Sequence, residues 1–421
     1  MAFRHTRMCE SVDIYYDAVE KFKTTNVRVL FITPLNRRTA SMNTLSSMVL
    51  RRGTKRYPTL LQLTSALEDL YGATLETSTM KFGETHILSA DIEFVCPKYL
   101  PEGERVLAQC INMLSEVVFE PCTEGDGFCR EYFEQEKSNL RELIRSQVNQ
   151  KTQYAVTRCI EEMCREEPFG VGKYGQEEDL EDADAVSLMK HFSEVISQSP
   201  VYIFAVGDMG DAEQPLIEKF SRLCTGTRQK IPPVVSRDAP AEVRHIREYM
   251  PVSQARVVIG YRTNIRRADP RYAALILFDG LLGAFPHSKL FQNVREREGL
   301  AYYVFSKLEP IKGVLVASAG VDETNLDRTV ELMSIETDNI RRGRFSEDEL
   351  EFTKKAVENR LLSALDSHPG RILSQLEGIV SGKPEQPEEL LLAVRKANRD
   401  DLIEAANLVA IDTIYTLSGR S

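Results

Sequence analysis

The sequence predicts an α+β protein of two homologous domains, each an antiparallel-rich mixed sheet packed with helices, facing each other across a cleft. Three observations predict it. First, the order strand, helix, helix, hairpin strands, several helices, final strand is read twice, with a period of roughly 210 residues, which is whole-domain doubling rather than a solenoid. Second, both halves close on the same kind of strand, VYIFAVGD at 201–208 and TIYTLSG at 413–419. Third, TGTRQKIPPVVSRDAPAEV at 225–243 carries three prolines and no hydrophobic period, the composition of an extended linker. The expected domains are therefore 1–224 and 244–421, and the space between two such domains is a natural ligand site.

The elements follow in order. Ser11 to Asp17 and Val27 to Pro34 alternate as strands around the polar turn Lys21 to Asn26. Thr39 to Val49 and Thr59 to Tyr71 are helical, stopped by Gly53 and Gly72. Ala73 to Lys81 and His86 to Phe94 form a hairpin around Gly83. Helices are expected at 102–118, 129–144, 152–165 and 186–197, with an acidic loop from Glu161 to Asp184, before the strand at 201–206. After the linker the pattern restarts with a strand at 255–262 and a helix at 270–282, then a helix at 290–298 running into strand 300–306. A return strand at 313–321 precedes helices at 326–341 and 346–366. Ser346 and Glu349 have the spacing of a capping box. Helices at 371–380, 387–397 and 400–408 lead to the final strand at 413–417.

Composition narrows the function. A net charge of −10 argues against a general nucleic-acid binder. No apolar run approaches the ~20 residues of a membrane helix, and MAFRHTRMCESVDIYY lacks the apolar stretch of a secretory leader. The eight cysteines form no CxxC pair and read as reduced, partly buried thiols of a cytoplasmic protein. Six histidines are scattered, with no local metal spacing.

The most informative stretch is LFQNVREREGLAYYVFS at 290–306. A helix with Leu290, Phe291 and Val294 on one face ends at Gly299 and turns into a strand. The reversal can bring Arg295 and Tyr302 to one spot. A guanidinium and a phenol are both donors, able to converge on a peptide carbonyl or on the oxyanion it becomes. The alternative is structural: Arg295 paired with Glu298 on the helix surface, and Tyr302 in the core.

Doubled α+β domains, Gly53-Thr54 after the first helix, and Val294-Arg295-Glu296-Arg297-Glu298-Gly299-Leu300-Ala301-Tyr302 together resemble the inverted-zinc metallopeptidases. This is the family of pitrilysin, insulin-degrading enzyme and the mitochondrial processing peptidase, and its small bacterial members are the nearest in length. The resemblance runs from about Val12 to Gly419 and implies that Arg295 and Tyr302 bind the substrate backbone and steady the tetrahedral intermediate. Active members carry H-x-x-E-H on the first helix, two histidines for zinc and a glutamate to activate water. Aligned on Gly53-Thr54, those positions hold Thr44, Leu45, Ser46, Ser47 and Met48. Thr44 and Met48 replace the ligands and Ser47 replaces the base. Glu142 is the nearest match to the family's third ligand, and alone it cannot hold zinc.

The resemblance therefore implies a chain that binds no cofactor and is not an enzyme by itself. The expected function is a non-catalytic subunit of a heteromeric peptidase, with zinc on a homologous partner and peptides as substrate. The alternative is a non-enzymatic scaffold or peptide-binding protein of the same descent.

Overall fold

A computed structural model describes residues 3–210, 213–384 and 386–419. The outermost ends of the two expected domains, residues 1–2 and 420–421, lie outside the described residues. The chain divides into two compact units, Met1–Arg145 with Val171–Pro233, and Ser146–Gly170 with Val234–Ser421.

The first unit runs through β1 Arg4–Cys9, β2 Val12–Asp17, β3 Thr24–Pro34, α1 Arg37–Leu50, α2 Leu60–Glu68, β4 Thr74–Phe82, β5 Thr85–Val95 and α3 Gly103–Phe119. A short hairpin, β6 Thr123–Glu124 and β7 Gly127–Phe128, leads into α4 Arg130–Ser146. The chain then contributes α5 Lys151–Met163 to the second unit before returning with α6 Ala185–Gln198, β8 Val201–Val206 and α7 Glu213–Phe220. The second unit continues through β9 Arg244–Tyr249, β10 Ala255–Arg262, α8 Tyr272–Asp279, β11 Ala301–Glu309, β12 Val314–Val321, α9 Leu326–Arg341, α10 Glu347–Ala364, α11 His368–Val380, α12 Pro387–Lys396, α13 Arg399–Leu408 and β13 Ala410–Ser418.

The two sheets have one topology. The first is ordered β1-β2-β8-β3-β5-β4 and the second, read from its far edge, β9-β13-β10-β12-β11. In each sheet one pair is parallel, β2 with β8 and β9 with β13, and the other pairs are antiparallel. Each strand of the second sheet has a counterpart in the first, and β1 is the extra strand. This is the doubled α+β architecture that the repeated element order predicts.

Both faces of the central strands are largely buried, and alternate residues of each build one core. In the first unit Val27, Val29 and Phe31 of β3 pack with Leu45 and Val49 of α1 and Leu114 of α3. In the second, Val257, Ile259 and Tyr261 of β10 pack with Leu275 and Phe278 of α8 and Met333 of α9. The other face of the second sheet is also apolar, with Val258, Val316, Tyr415 and Leu417, and Ala155, Val156 and Cys159 of α5 cover it. Covering a Val or Leu fully stabilises by about 1.5–3 kcal/mol, so this face needs a helix. Gly260 lets that helix close in, since a Cβ there would lie 2.8 Å from Met163 Sδ and 3.2 Å from Cys159 Sγ. Behind α5, Glu167 accepts from Arg262 and pairs with Lys312 at 2.5 Å, all nearly sealed from water. Removing one member of such a buried set leaves an uncompensated charge. A boundary at 224/244 assigns residues 146–170 to the first domain, whereas the fold gives them to the second. Amphipathic spacing shows that α5 buries a face, not which sheet receives it.

Cys9 and Cys224 are joined in a disulfide across 215 residues, which departs from the reduced set expected of the cysteines. The remaining six form no disulfide among the described residues. Among the described residues no helix is long and apolar enough to cross a membrane.

Candidate functional site

The residues aligned with the zinc motif, Thr44, Ser47 and Met48, lie on α1. Asn36 caps the helix by accepting from Thr39 N–H at 2.9 Å. The helix is buried on most of its circumference, Thr44 and Ser47 included. Thr44 Oγ1 donates to Ala40 O at 2.8 Å, and Ser47 Oγ donates to Thr44 O at 2.8 Å. Both hydroxyls are turned back onto their own helix, and Met48 packs half-buried against the first core. Glu142 is 73% exposed on α4 and pairs with Arg145 at 3.6 Å. Two hydroxyls spent on carbonyls, a thioether and a solvent-facing carboxylate do not fit a zinc ion, which wants imidazole, thiolate or carboxylate converging in a tetrahedron. Among the described residues no group of three or more His, Cys, Asp or Glu side chains is placed to hold a metal.

Beside Thr44 the fold assembles a polar network that residue spacing does not reveal. His86 Nε2 donates to Lys173 O at 2.8 Å, which leaves Nδ1 to accept from Asn43 Nδ2 at 3.1 Å. Asn43 also donates to Thr33 Oγ1 and accepts from His191 Nε2 at 2.8 Å. Burial drives both imidazoles down to about 4, so they are neutral near pH 7. Two of the six scattered histidines thus meet, with three of their four ring nitrogens occupied by hydrogen bonds. They tie α1, β5 and α6 together.

The second unit treats its polar groups differently. Residues Leu290–Arg297 form a π-helical segment, closed by Glu298 N–H to Asn293 O and Leu300 N–H to Val294 O around Gly299 at φ +61°. Glycine takes that left-handed conformation without a Cβ clash. Arg295 stands above the Phe291 ring at 4.6 Å, with its Nε 3.8 Å from Glu296 Oε1. It is 40% exposed, and the Glu298 pairing considered from the sequence is not what forms. β11 is an edge strand, and its register with β12 slips between Ala301 and Tyr303. The slip leaves Tyr302 out of the ladder, 55% exposed rather than in the core. Its hydroxyl donates to Asp322 Oδ1 at 3.0 Å, and that bond raises the phenol above its usual range. No hydrogen bond joins Arg295 to Tyr302, and the reversal leaves both side chains open to solvent.

Comparison with known proteins adds the following. Residues 182–357 match the family described as the Peptidase M16 inactive domain. Over 406 residues, 95% of this chain and 94% of the relative, the sequence is 32% identical to a protein of Bacillus subtilis strain 168 named as a probable inactive metalloprotease, YmfF. A second B. subtilis protein, the uncharacterized zinc protease YmxG, is 24% identical over 58% of this chain and 56% of its own length. Among solved structures, a conserved protein from Enterococcus faecalis V583 superposes with a TM-score of 0.92 at 28% identity, covering 100% of this chain and 99% of the other.

Proposed function

Because the chain belongs to the M16 metallopeptidase family, as a zinc-less and non-catalytic member, we propose that it is the substrate-binding subunit of a heteromeric peptidase. A homologous partner in the cytoplasm carries the zinc and cleaves peptides, and this chain lends Arg295 and Tyr302 to the substrate backbone. The observation that carries the reading is an asymmetry. Thr44 and Ser47, at two positions of the zinc motif, are buried and bonded to their own helix, while Arg295 and Tyr302 stand in solvent. Similarity to a protein named as a zinc protease supports a zinc-bearing partner of the same descent.

In this reading the Arg295 fork donates to a substrate carbonyl, and Tyr302 exchanges Asp322 for the oxygen on which charge develops. The bond to Asp322 keeps the phenol protonated and able to donate. That same bond favours the rival reading, a peptide-binding scaffold in which Tyr302 never leaves Asp322.

The test is reconstitution with an H-x-x-E-H-bearing homologue from the same genome, with assembly followed by size-exclusion chromatography and peptide turnover measured. Tyr302→Phe and Arg295→Lys should assemble normally and each lose about 10²–10³ in turnover, the typical effect of removing one oxyanion donor. Unchanged turnover in an assembled double variant removes the catalytic role and leaves the scaffold.

A further inference from the structure

A cavity of about 340 Å³ lies within the second unit, among α8, β11, α10 and α11, and shares no residue with the Arg295–Tyr302 surface. Its apolar wall includes Ile276, Leu361 and Leu390. Tyr272, only 7% exposed, lines it, with the Arg267 guanidinium over its ring at 4.9 Å. The Tyr272 hydroxyl hydrogen-bonds to none of the described residues, and it lies within electrostatic reach of Glu377, Arg267, Arg360 and Asp279. The hydroxyl is not among the sealed polar atoms and is open to the cavity, where an occupant can take its bond.

Arg360 also lines the cavity. Its guanidinium rests on the Phe285 ring at 5.1 Å and is paired with no carboxylate among the described residues. Of the two acids lining the cavity, Glu377 is paired with Arg267 at 3.7 Å. Burial raises Glu377 to about 7 and raises Asp279, which also accepts from Ser306 at 2.6 Å. A cation without an acid, a phenol without a partner and an aliphatic wall are what a carboxylate with an apolar body requires.

We propose that this cavity binds an apolar amino-acid residue ending in a free α-carboxylate, with Arg360 and Tyr272 on the carboxylate and the side chain against Ile276, Leu361 and Leu390. That chemistry is shared by a free α-amino acid and by the C-terminal residue of a peptide.

The test is isothermal titration of the full chain with L-leucine, N-acetyl-L-leucine, Ala-Ala-Leu and L-leucinamide. The carboxylate-bearing probes should bind and leucinamide should not. Free leucine alone binding identifies the free amino acid; the acetylated and peptide probes binding identifies a C-terminus. Arg360→Met, at an exposed position, should weaken binding about 10- to 100-fold, the worth of a charge-assisted hydrogen bond. Tyr272→Phe keeps the ring and should weaken it about 3- to 10-fold. Leucinamide binding as well as leucine, an Arg360→Met variant with unchanged affinity, or no saturable heat from any probe up to roughly 10 mM overturns the proposal.

Discussion

The two units share a strand order, yet they dispose of their polar side chains in opposite ways. In the first, α1 turns Thr44 and Ser47 onto its own carbonyls, and Asn43, His86 and His191 satisfy one another inside. In the second, the corresponding sheet ends at an edge strand whose bulge puts Tyr302 in water. The contrast teaches that a duplicated scaffold fixes where strands and helices go, while function depends on which way a few polar groups face. In the first unit Asn43, Thr44, Ser47, His86 and His191 all bond within the fold, while Ser46 Oγ on α1 is buried without a partner.

That contrast predicts different responses to perturbation. The largest expected effect on stability belongs to the Cys9–Cys224 bond, which lies wholly in the first unit. By chain entropy a cross-link over so long a loop stabilises by as much as about 5 kcal/mol. Cys9→Ser should therefore lower the unfolding transition of the first unit and leave the second in place, as read by hydrogen exchange resolved along the chain. An equal shift of both units breaks the comparison. The same bond bears on where the protein works, because disulfides persist in oxidising surroundings. Alkylation of thiols in intact cells followed by mass spectrometry should find Cys9 and Cys224 protected if the bond is present there.

Acidification comes next. His86 and His191 are lowered to about 4 from 6.5, so an unfolded first unit takes up their protons before the folded one does. The stability they contribute is present above pH 6.5 and is lost as pH falls toward 4, on the order of 3 kcal/mol for each histidine. Glu377, raised to about 7 from 4.5, works in the other direction. Its contribution is full below pH 4.5 and lost as pH rises through 7. Between pH 7.5 and 4.5 the first unit should weaken while the second strengthens, measured by thermal unfolding at successive pH values. His86→Gln should flatten the first trend alone.

The smallest effects are the caps. Asn36 caps α1 and Ser346 caps α10 in a box with Glu349. Asn36→Ala and Ser346→Ala should each cost about 1 kcal/mol, the first confined to one unit and the second to the other.

Much of this architecture was legible in the residues. β8, β10 and α9 fall at the bounds the pattern predicts, because the two strands are short apolar runs and the apolar positions of the helix repeat at 3.6. β1, RHTRMC, and β9, RHIREY, are edge strands that stay largely in water, so composition hides them. The reading of 44, 47 and 48 as zinc-motif positions comes from the Gly53-Thr54 alignment, and the exposure of Tyr302 could not be read from the residues, since a bulge is a property of pairing rather than of one strand. The meeting of His86 with His191 and of Cys9 with Cys224 joins positions far apart in the chain, and only the closed fold brings such positions together.

The crossing of α5 into the second unit has a consequence in time. On the ribosome this helix is synthesised before the sheet it covers, and the strand β13 that carries Tyr415 and Leu417 comes last. At about 5–20 residues per second its apolar face waits roughly 13 to 50 seconds for a surface to dock on. A nascent chain paused in that interval displays Val156 and Cys159 bare, with Glu167 not yet joined to Arg262 and Lys312. A truncated gene beginning at the Pro-containing segment never makes the helix at all and leaves Val258 and Tyr415 open to water. The apolar face of α5 is therefore uncovered for longest in the interval before β13 is made.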